Sequence, residues 1–266
     1  MKIAIIGSGN MGGAIAHGLI QSRFCPASDI LCTAKSLETL EKLKQLHPDL
    51  QTTRDNVSAI QQATIIILAV KPWLIKEIME EIAPAIRPKE QLIVSVAAGV
   101  SLCQLETYLH LSETPALFRA IPNTAAQVQE SMTIIAQAHA SEAQITQVLN
   151  LFNQLGKSLL TDEAHLEAGM ILASCGTAFA LRYIRAAMEA AIELGFKAPD
   201  AQQLLSQTVK GAAQLLLANH SHPEVEIDKV TTPGGITIKG LNAMEANGFT
   251  HAVIAGIKAC INKEKD

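Results

Sequence analysis

Aromatic residues are scarce: one Trp, two Tyr and six Phe in 266 residues. An interior for a chain of this length must therefore be filled by Ala, Leu, Ile and Val, which suits packed helices and parallel strands buried on both faces. Positive charge is short as well. Twenty-one Lys and Arg against 25 Asp and Glu leave a formal charge of −4. That is no basic field of the kind a phosphate backbone requires, so nucleic acid is not an expected partner. The five cysteines (Cys25, Cys32, Cys103, Cys175 and Cys260) contain no close pair of the kind used by zinc sites or dithiol motifs. No metal is expected, and free thiols point to a reducing, cytoplasmic compartment. The start of the chain has no long apolar leader, and no later run approaches the roughly 20 apolar residues of a membrane span, so no membrane association is expected.

From residue 1 to about 161, short apolar runs alternate with longer segments of helical period, the pattern of an α/β doubly wound parallel sheet. Strands are expected at 2–6, 30–33, 64–70, 91–96, 116–120 and 132–136, with a weaker one at 158–161. Helices are expected between them at 11–21, 37–45, 73–86, 101–109 and 141–155. After Asp162 the alternation stops. The run from Glu163 to Leu194 is Ala-rich and free of strand pattern, Gly195 reads as its C-cap, and 198–218 reads as another helix. Two domains are therefore expected, 1–161 and 162–266, the second all-helical.

The strongest local signal is Gly7-Ser8-Gly9-Asn10-Met11-Gly12, between the first strand and the first helix. In that position Gly7 makes a tight turn and Gly9 lets the backbone approach a pyrophosphate. The helix N-terminus then offers free N–H groups and partial positive charge. An acid to take the ribose diol of NAD is expected about 20 residues on, at the end of the second strand. None is there: Cys32-Thr33-Ala34 leads instead to Lys35 and Ser36. These can meet the 2′-phosphate of NADP, although Lys35 also reads as an ordinary surface lysine. NADPH is thus the expected cofactor, with NADH possible.

Three further segments fall at the carboxyl ends of successive strands, where open α/β sheets place ligands. They are Ala69-Val70-Lys71-Pro72-Trp73, the Ser95 to Gly99 stretch with its small Ala97, and Arg119 to Asn123. In the helical half, Thr231-Thr232-Pro233-Gly234-Gly235-Ile236-Thr237 is the hardest feature to explain structurally. Its glycines form a turn whose N–H groups can converge on a carboxylate, beside hydroxyls that can donate protons. The same turn also reads as the cap of the next helix.

Taken together, GSGNMGGAIAHGL, AVKPW, SVAAG, RAIPN, QTVKGAAQLL and above all DKVTTPGGITIKGLNAME resemble the pyrroline-5-carboxylate reductase family nearly end to end. The resemblance implies reduction of a cyclic imine, 1-pyrroline-5-carboxylate, to L-proline with NAD(P)H. It also implies helices that interlock in a homodimer, and a decamer made of five dimers. Gly7 to Gly12, Lys35, Ser36, Asn56 and Ala69 to Pro72 fall on dinucleotide positions. Glu163, Thr232, Gly234, Gly235 and Thr237 fall on the substrate side, with Thr237 hydrogen-bonded to the ring nitrogen and the glycine loop on the carboxylate.

The chain departs from the family where Gly-Ser-Gly-Pro-Ala-Tyr is usual. It reads Ser174-Cys175-Gly176-Thr177-Ala178-Phe179, exchanging a hydroxyl for the Cys175 thiol and losing a helix-kinking proline. In the signature Thr232 replaces serine and Ile236 a small residue, and His220 stands where some members have an acid. These changes bear on the substrate pocket. They keep open a related reductase of another small cyclic imine or of a keto or hydroxy acid, and a dinucleotide sensor without catalysis.

Overall fold

A computed structural model describes residues 1–261. Eight strands form one sheet in the order β3-β2-β1-β4-β5-β6-β7-β8. They are β1 (Ile3–Ile6), β2 (Ile30–Thr33), β3 (Gln51–Thr53), β4 (Ile65–Leu68), β5 (Leu92–Ser95), β6 (Ala116–Ile121), β7 (Ser131–Ala138) and β8 (Gly156–Leu160). All neighbours are parallel except β6 and β7. The sheet is thus predominantly parallel, as the alternation of strand and helix leads one to expect, with one antiparallel pair. Only nine residues, 122–130, join these two strands, too few for a parallel crossover.

Successive residues of β1 feed opposite faces: Ile3 and Ile5 enter one core, Ala4 and Ile6 the other. Both faces are covered, which is why β1, β4 and β5 read as continuous apolar runs. The covering helices are α1 (Asn10–Gln21), α2 (Leu37–Leu46), α3 (Asn56–Ile60), α4 (Ile75–Ile82), α5 (Leu102–Leu109) and α6 (Glu142–Phe152). Capping boxes start α5 (Ser101 with Gln104) and α6 (Ser141 with Gln144). The single helix expected over 73–86 is instead α4 flanked by 3₁₀ turns at Pro72–Leu74 and Ala83–Ala85. Pro84 has no N–H to continue the ladder.

The last strand ends at Leu160, and helices follow: α7 (Glu163–Met170), a π-helical segment (Ile171–Cys175), α8 (Gly176–Glu193), α9 (Ala198–Asn219), α10 (Pro223–Val230), α11 (Ile236–Ala246) and α12 (Phe249–Ala259). Strand pattern thus gives way to helix just after residue 160, whereas compactness divides the chain after Ser174, leaving α7 with the sheet. Gly195 closes α8 in a Schellman motif, its N–H on Ile192 O and that of Phe196 on Ala191 O.

The second unit has almost no core of its own. Among its described residues only Ala201 is buried, while Leu181, Leu194, Leu217, Val230 and Ile236 are 60% or more exposed. The helical stretch Glu163–Glu193 has a window of mean hydropathy 1.3 that is 11% buried. By length and composition it is apolar enough to cross a membrane, which corrects the expectation that no segment reaches that threshold.

Candidate active site

The order β3-β2-β1-β4-β5-β6 reverses direction between β1 and β4, and the glycine loop lies at that reversal. Gly7 has φ +92°, and a Cβ there would meet Val70 Cγ1 at 2.5 Å, so the turn admits no side chain. The amides of Gly7 and Ser8 both donate to Thr33 O, at 3.1 and 2.8 Å. The loop is thereby tied to the end of β2. Thr33 Oγ1 donates in turn to Asn56 Oδ1 at 2.7 Å, and Asn56 Nδ2 donates to Glu81 Oε2 at 3.0 Å. Asn56 is therefore a brace under the loop whose amide already has two partners.

The first turn of α1 has no capping side chain because Gly9 is its N-cap, so the leading amides, Asn10 to Gly12, have no intrahelical partner. A Cβ on Gly9 would meet nothing within 4 Å, whereas one on Gly12 would lie 2.3 Å from Gly7 O. Gly9 faces open space above free N–H groups, and Gly12 is a backbone contact. That is a cradle of the right chemistry for a pyrophosphate. Ser8 Oγ is buried with no partner of normal geometry. The Cys32 thiol beside it is pushed up to about 11, by burial first, against which Ser8 acts weakly downward. Met11 packs on the core below the loop.

Lys35 and Ser36 are exposed past the end of β2, Ser36 as the N-cap of α2 with no side-chain bond, and Lys35 with no partner among the described residues. Arg54, which sequence reasoning missed, sits one residue past Thr53. Thr53 pairs with Thr33, so Arg54 and Ala34 leave adjacent strand ends. Arg54 also lines an open groove of about 500 Å³ with Leu37 and Lys44. Its polar strand, Gln51–Thr53, gave no apolar signal by which to find it. On the other side of the loop, Ala69 and Val70 touch Gly7, Lys71 is exposed, and Pro72 opens a 3₁₀ turn. Ala97, after β5, is buried.

Glu163 is the first residue of α7, capped by Asp162, whose Oδ1 accepts from His165 N at 2.9 Å. That backbone bond, with the His165 ring second, holds the Asp162 carboxyl below its usual range. Glu163 Oε1 accepts from Arg119 Nη1 at 2.7 Å and from Leu102 N at 2.8 Å. In this unit Glu163 thus links β6, α5 and α7, and Arg119 joins it as a residue the sequence reading had left among strand ends. Asn123 Nδ2 donates to Ala173 O at 3.0 Å, steadying the chain just before Ser174. Between α7 and α8 the helix runs through a π-helical turn, Ile171–Cys175, that contains no proline.

In the second unit, Thr232-Pro233-Gly234-Gly235 forms a type II turn, with Gly234 at φ +71° and Gly235 N donating to Thr232 O at 2.9 Å. The turn does cap a helix: Gly235 is the N-cap of α11. It also corrects one detail. The Gly235 N–H is already used, so the amides free for an anion are those of Gly234 and the first turn of α11, Ile236 and Thr237. Thr237 is exposed one residue inside that helix end. Among the described residues no cluster of three His, Cys, Asp or Glu side chains could hold a metal.

A reversed strand order, a glycine turn at the reversal and an uncapped first helix define the class of Rossmann dinucleotide-binding oxidoreductases. Residues 2–99 match the family model described as NADP oxidoreductase, coenzyme F420-dependent, and residues 163–266 the model for pyrroline-5-carboxylate reductase dimerisation. The chain is 40% identical to pyrroline-5-carboxylate reductase 2 of Dictyostelium discoideum over 96% of its own length and 89% of the relative's. It superposes on a pyrroline-5-carboxylate reductase from Coxiella burnetii with TM-score 0.91 at 29% identity, covering 98% and 96% of the two chains. The Plasmodium falciparum pyrroline carboxylate reductase with NADP bound has the same fold, with TM-score 0.84 at 23% identity over 98% and 95%. The chain belongs to the pyrroline-5-carboxylate reductase family.

Proposed function

We propose that the protein reduces 1-pyrroline-5-carboxylate to L-proline with NAD(P)H, the last step of proline biosynthesis, in the cytoplasm. The observation that carries this reading is the near full-length relationship at 40% identity in a chain that keeps both the Gly7 to Gly12 loop and the Thr232 to Thr237 turn. Residues 1–161 are read as the dinucleotide domain and 162–266 as the substrate and dimerisation domain.

Gly9, Asn10, Met11 and Gly12 would hold the pyrophosphate, Lys35, Ser36 and Arg54 the 2′-phosphate, and Ala69 to Pro72 with Ala97 the remainder of the dinucleotide. When bound, the reduced nicotinamide supplies the hydride for the imine carbon. Thr237 donates a hydrogen bond to the ring nitrogen. The amides of Gly234, Ile236 and Thr237 hold the substrate carboxylate, with Thr232 packed under the turn. Cys175 and Glu163 are read as substrate-side residues, Glu163 through its hold on Arg119. Positioning supplies most of the rate, so no His or Cys nucleophile is required.

The test is nicotinamide absorbance with purified protein, 1-pyrroline-5-carboxylate and a panel of other cyclic imines and keto acids. Turnover of pyrroline-5-carboxylate at least tenfold above every other substrate is expected; better turnover of another imine would overturn the substrate, and none at all would favour the sensor. NADPH is the expected donor. A charge-assisted contact to phosphate contributes about 1.5–3 kcal/mol, so Lys35→Glu should raise the NADPH KM roughly tenfold to a hundredfold while moving that for NADH far less. Equal KM values in the wild type would remove this preference.

Self-association follows from the second unit, which leaves its apolar helices uncovered. The family model over this region is one of dimerisation. We read the active species as a homodimer, five of which make a decamer. Light scattering at assay concentration should find no active species smaller than two chains; an active monomer would refute it.

A further inference from the structure

We propose that His17 and His47 are a positioning pair for NADPH, on the reading that Lys35, Ser36 and Arg54 hold its 2′-phosphate. Their hydrogen bond ties α2 and β3, the elements beside those residues, to α1, which carries the glycine loop, and a second proton on the pair unties them. His17 Nδ1 lies 2.9 Å from His47 Nε2, with ring centroids 5.1 Å apart and the planes tilted by 43°. Both residues are partly buried. Another contact lies one turn back on each helix, where a Cβ on Gly13 would be 3.6 Å from Leu43 Cδ2. His17 follows Gly13, and His47 follows Leu43, at the spacing that shares a helix face. The two helices therefore run side by side in one direction, and the imidazoles close the far end of their seam.

The seam has few other ties. α2 buries only Leu40 and Leu43, and another side of it faces the open groove lined by Leu37, Lys44 and Arg54. His47 is its C-cap, with its N–H on Leu43 O and its own carbonyl accepting from Leu50 N at 3.0 Å in the turn into β3. One residue thus anchors the helix that begins after Ser36 and the strand that ends before Arg54. Ser36 lies about 16 Å from it along α2, and Gly9 about 12 Å from His17 along α1, so a shift at the pair is carried to both phosphate sites.

The chemistry of the pair makes the tie depend on pH. Two neutral imidazoles share one hydrogen bond, and one added proton keeps it, since an imidazolium donates to an imidazole. Two added protons leave N–H donors facing each other with no acceptor between them. Burial first and His17 second hold the His47 pKa below its ordinary 6.5. The fold thus favours neutral His47, and the tie is whole above 6.5 and lost as pH falls through the lowered value. Among the described residues no carboxylate offsets the second proton. α1 and β1 carry no other charged side chain, and neither do the turns Thr124–Val128 and Asn153–Leu155 against which Gly18 packs. Glu38 is paired with Lys42, Glu41 and Lys44 line the groove, and Arg23 and Asp49, past the helix ends, make no ion pair.

The test measures NADPH and NADH Kd by fluorescence titration from about pH 7.5 to about pH 5.5 for the wild type, His47→Gln and His47→Ala. Hydrogen exchange of α2, corrected for intrinsic rates, is followed in the ligand-free proteins. The 2′-phosphate itself takes up a proton at about pH 6, which weakens NADPH in every variant. Glutamine reaches as far as Nε2 and does not titrate, so His47→Gln reports the phosphate alone. Over that baseline the wild-type NADPH Kd should rise a further threefold to tenfold, roughly the effect of one hydrogen bond, while NADH changes alike in both. His47→Ala should show the weakening already at the upper pH. Identical NADPH profiles for the wild type and His47→Gln would overturn the proposal, as would wild-type binding by His47→Ala. Failure of the cofactor reading looks different: NADPH and NADH bind equally at every pH, yet α2 still loses protection on acidification in the wild type and keeps it in His47→Gln. That result overturns the role toward NADPH and supports the histidine tie itself.

Discussion

Gly12→Ala should lose both stability and NADPH binding, while Gly9→Ala, three residues away, should lose binding alone. A Cβ at Gly12 would lie 2.3 Å from Gly7 O and 3.2 Å from Ala69 Cβ. The first neighbour is backbone already held by β2, so α1 must move away from the loop. Overpacking of this kind costs about 1–3 kcal/mol, or several degrees of melting temperature for a domain of this size. A displacement near 1 Å of the phosphate cradle is worth about a hundredfold, and the NADPH KM should rise accordingly. At Gly9 the backbone is ordinary extended chain, φ −70°, and a Cβ would meet nothing within 4 Å. The methyl group would occupy only the space read as the pyrophosphate's, so melting should stay at the wild-type temperature and the KM should rise comparably. Gly13→Ala is the control, since its Cβ would find Leu43 Cδ2 at an ordinary 3.6 Å. Melting scans and NADPH titrations of the three variants check the set. If Gly9→Ala bound NADPH as tightly as the wild type, the loop would not be the phosphate site.

What the sequence made legible follows where side chains are buried. Ile65–Leu68 and Leu92–Ser95 lie between two covered faces and read as strands by composition alone. Gln51–Thr53 lies at the sheet edge, three residues of polar side chains, and no periodicity marks it. The short α3 escaped because five residues span little more than one turn, too few to show a helical period, although Ala59 and Ile60 are buried. Arg54 went unseen because its strand did. The antiparallel turn from β6 to β7 depends on connection length rather than on strand pattern, and both strands were visible without their direction. In the second unit the TPGGIT segment stood out as a motif, but a motif does not say which amide is already bonded. That the Gly235 N–H turns inward to Thr232 O depends on the turn type. Likewise Glu163 was visible as a residue of the family pattern, while its hold on Arg119 and Leu102 joins segments 44 and 61 residues away.

Thr237→Val should cost about tenfold to a hundredfold in kcat/KM and leave NADPH affinity nearly unchanged. Thr237 follows an uncapped helix start, where Gly235 has no side chain to satisfy the first amides and the turn consumes its own N–H. An anionic substrate held by the Gly234, Ile236 and Thr237 amides is fixed at its carboxylate but remains free to pivot. On the proposed reading, the Thr237 hydroxyl would supply the second point of attachment, at the ring nitrogen. Valine keeps the β-branched shape and the backbone N–H while removing only the donor. Losing one hydrogen bond to a nitrogen that gains electron density as hydride adds to its carbon is worth about 1–3 kcal/mol of transition-state stabilisation. Thr237→Ser returns the hydroxyl and should recover most of the loss. That recovery separates a missing donor from a disturbed helix start, which serine would not repair. Wild-type kcat/KM in Thr237→Val on pyrroline-5-carboxylate would remove Thr237 from the chemistry and leave the Cys175 thiol or solvent as the source of the proton.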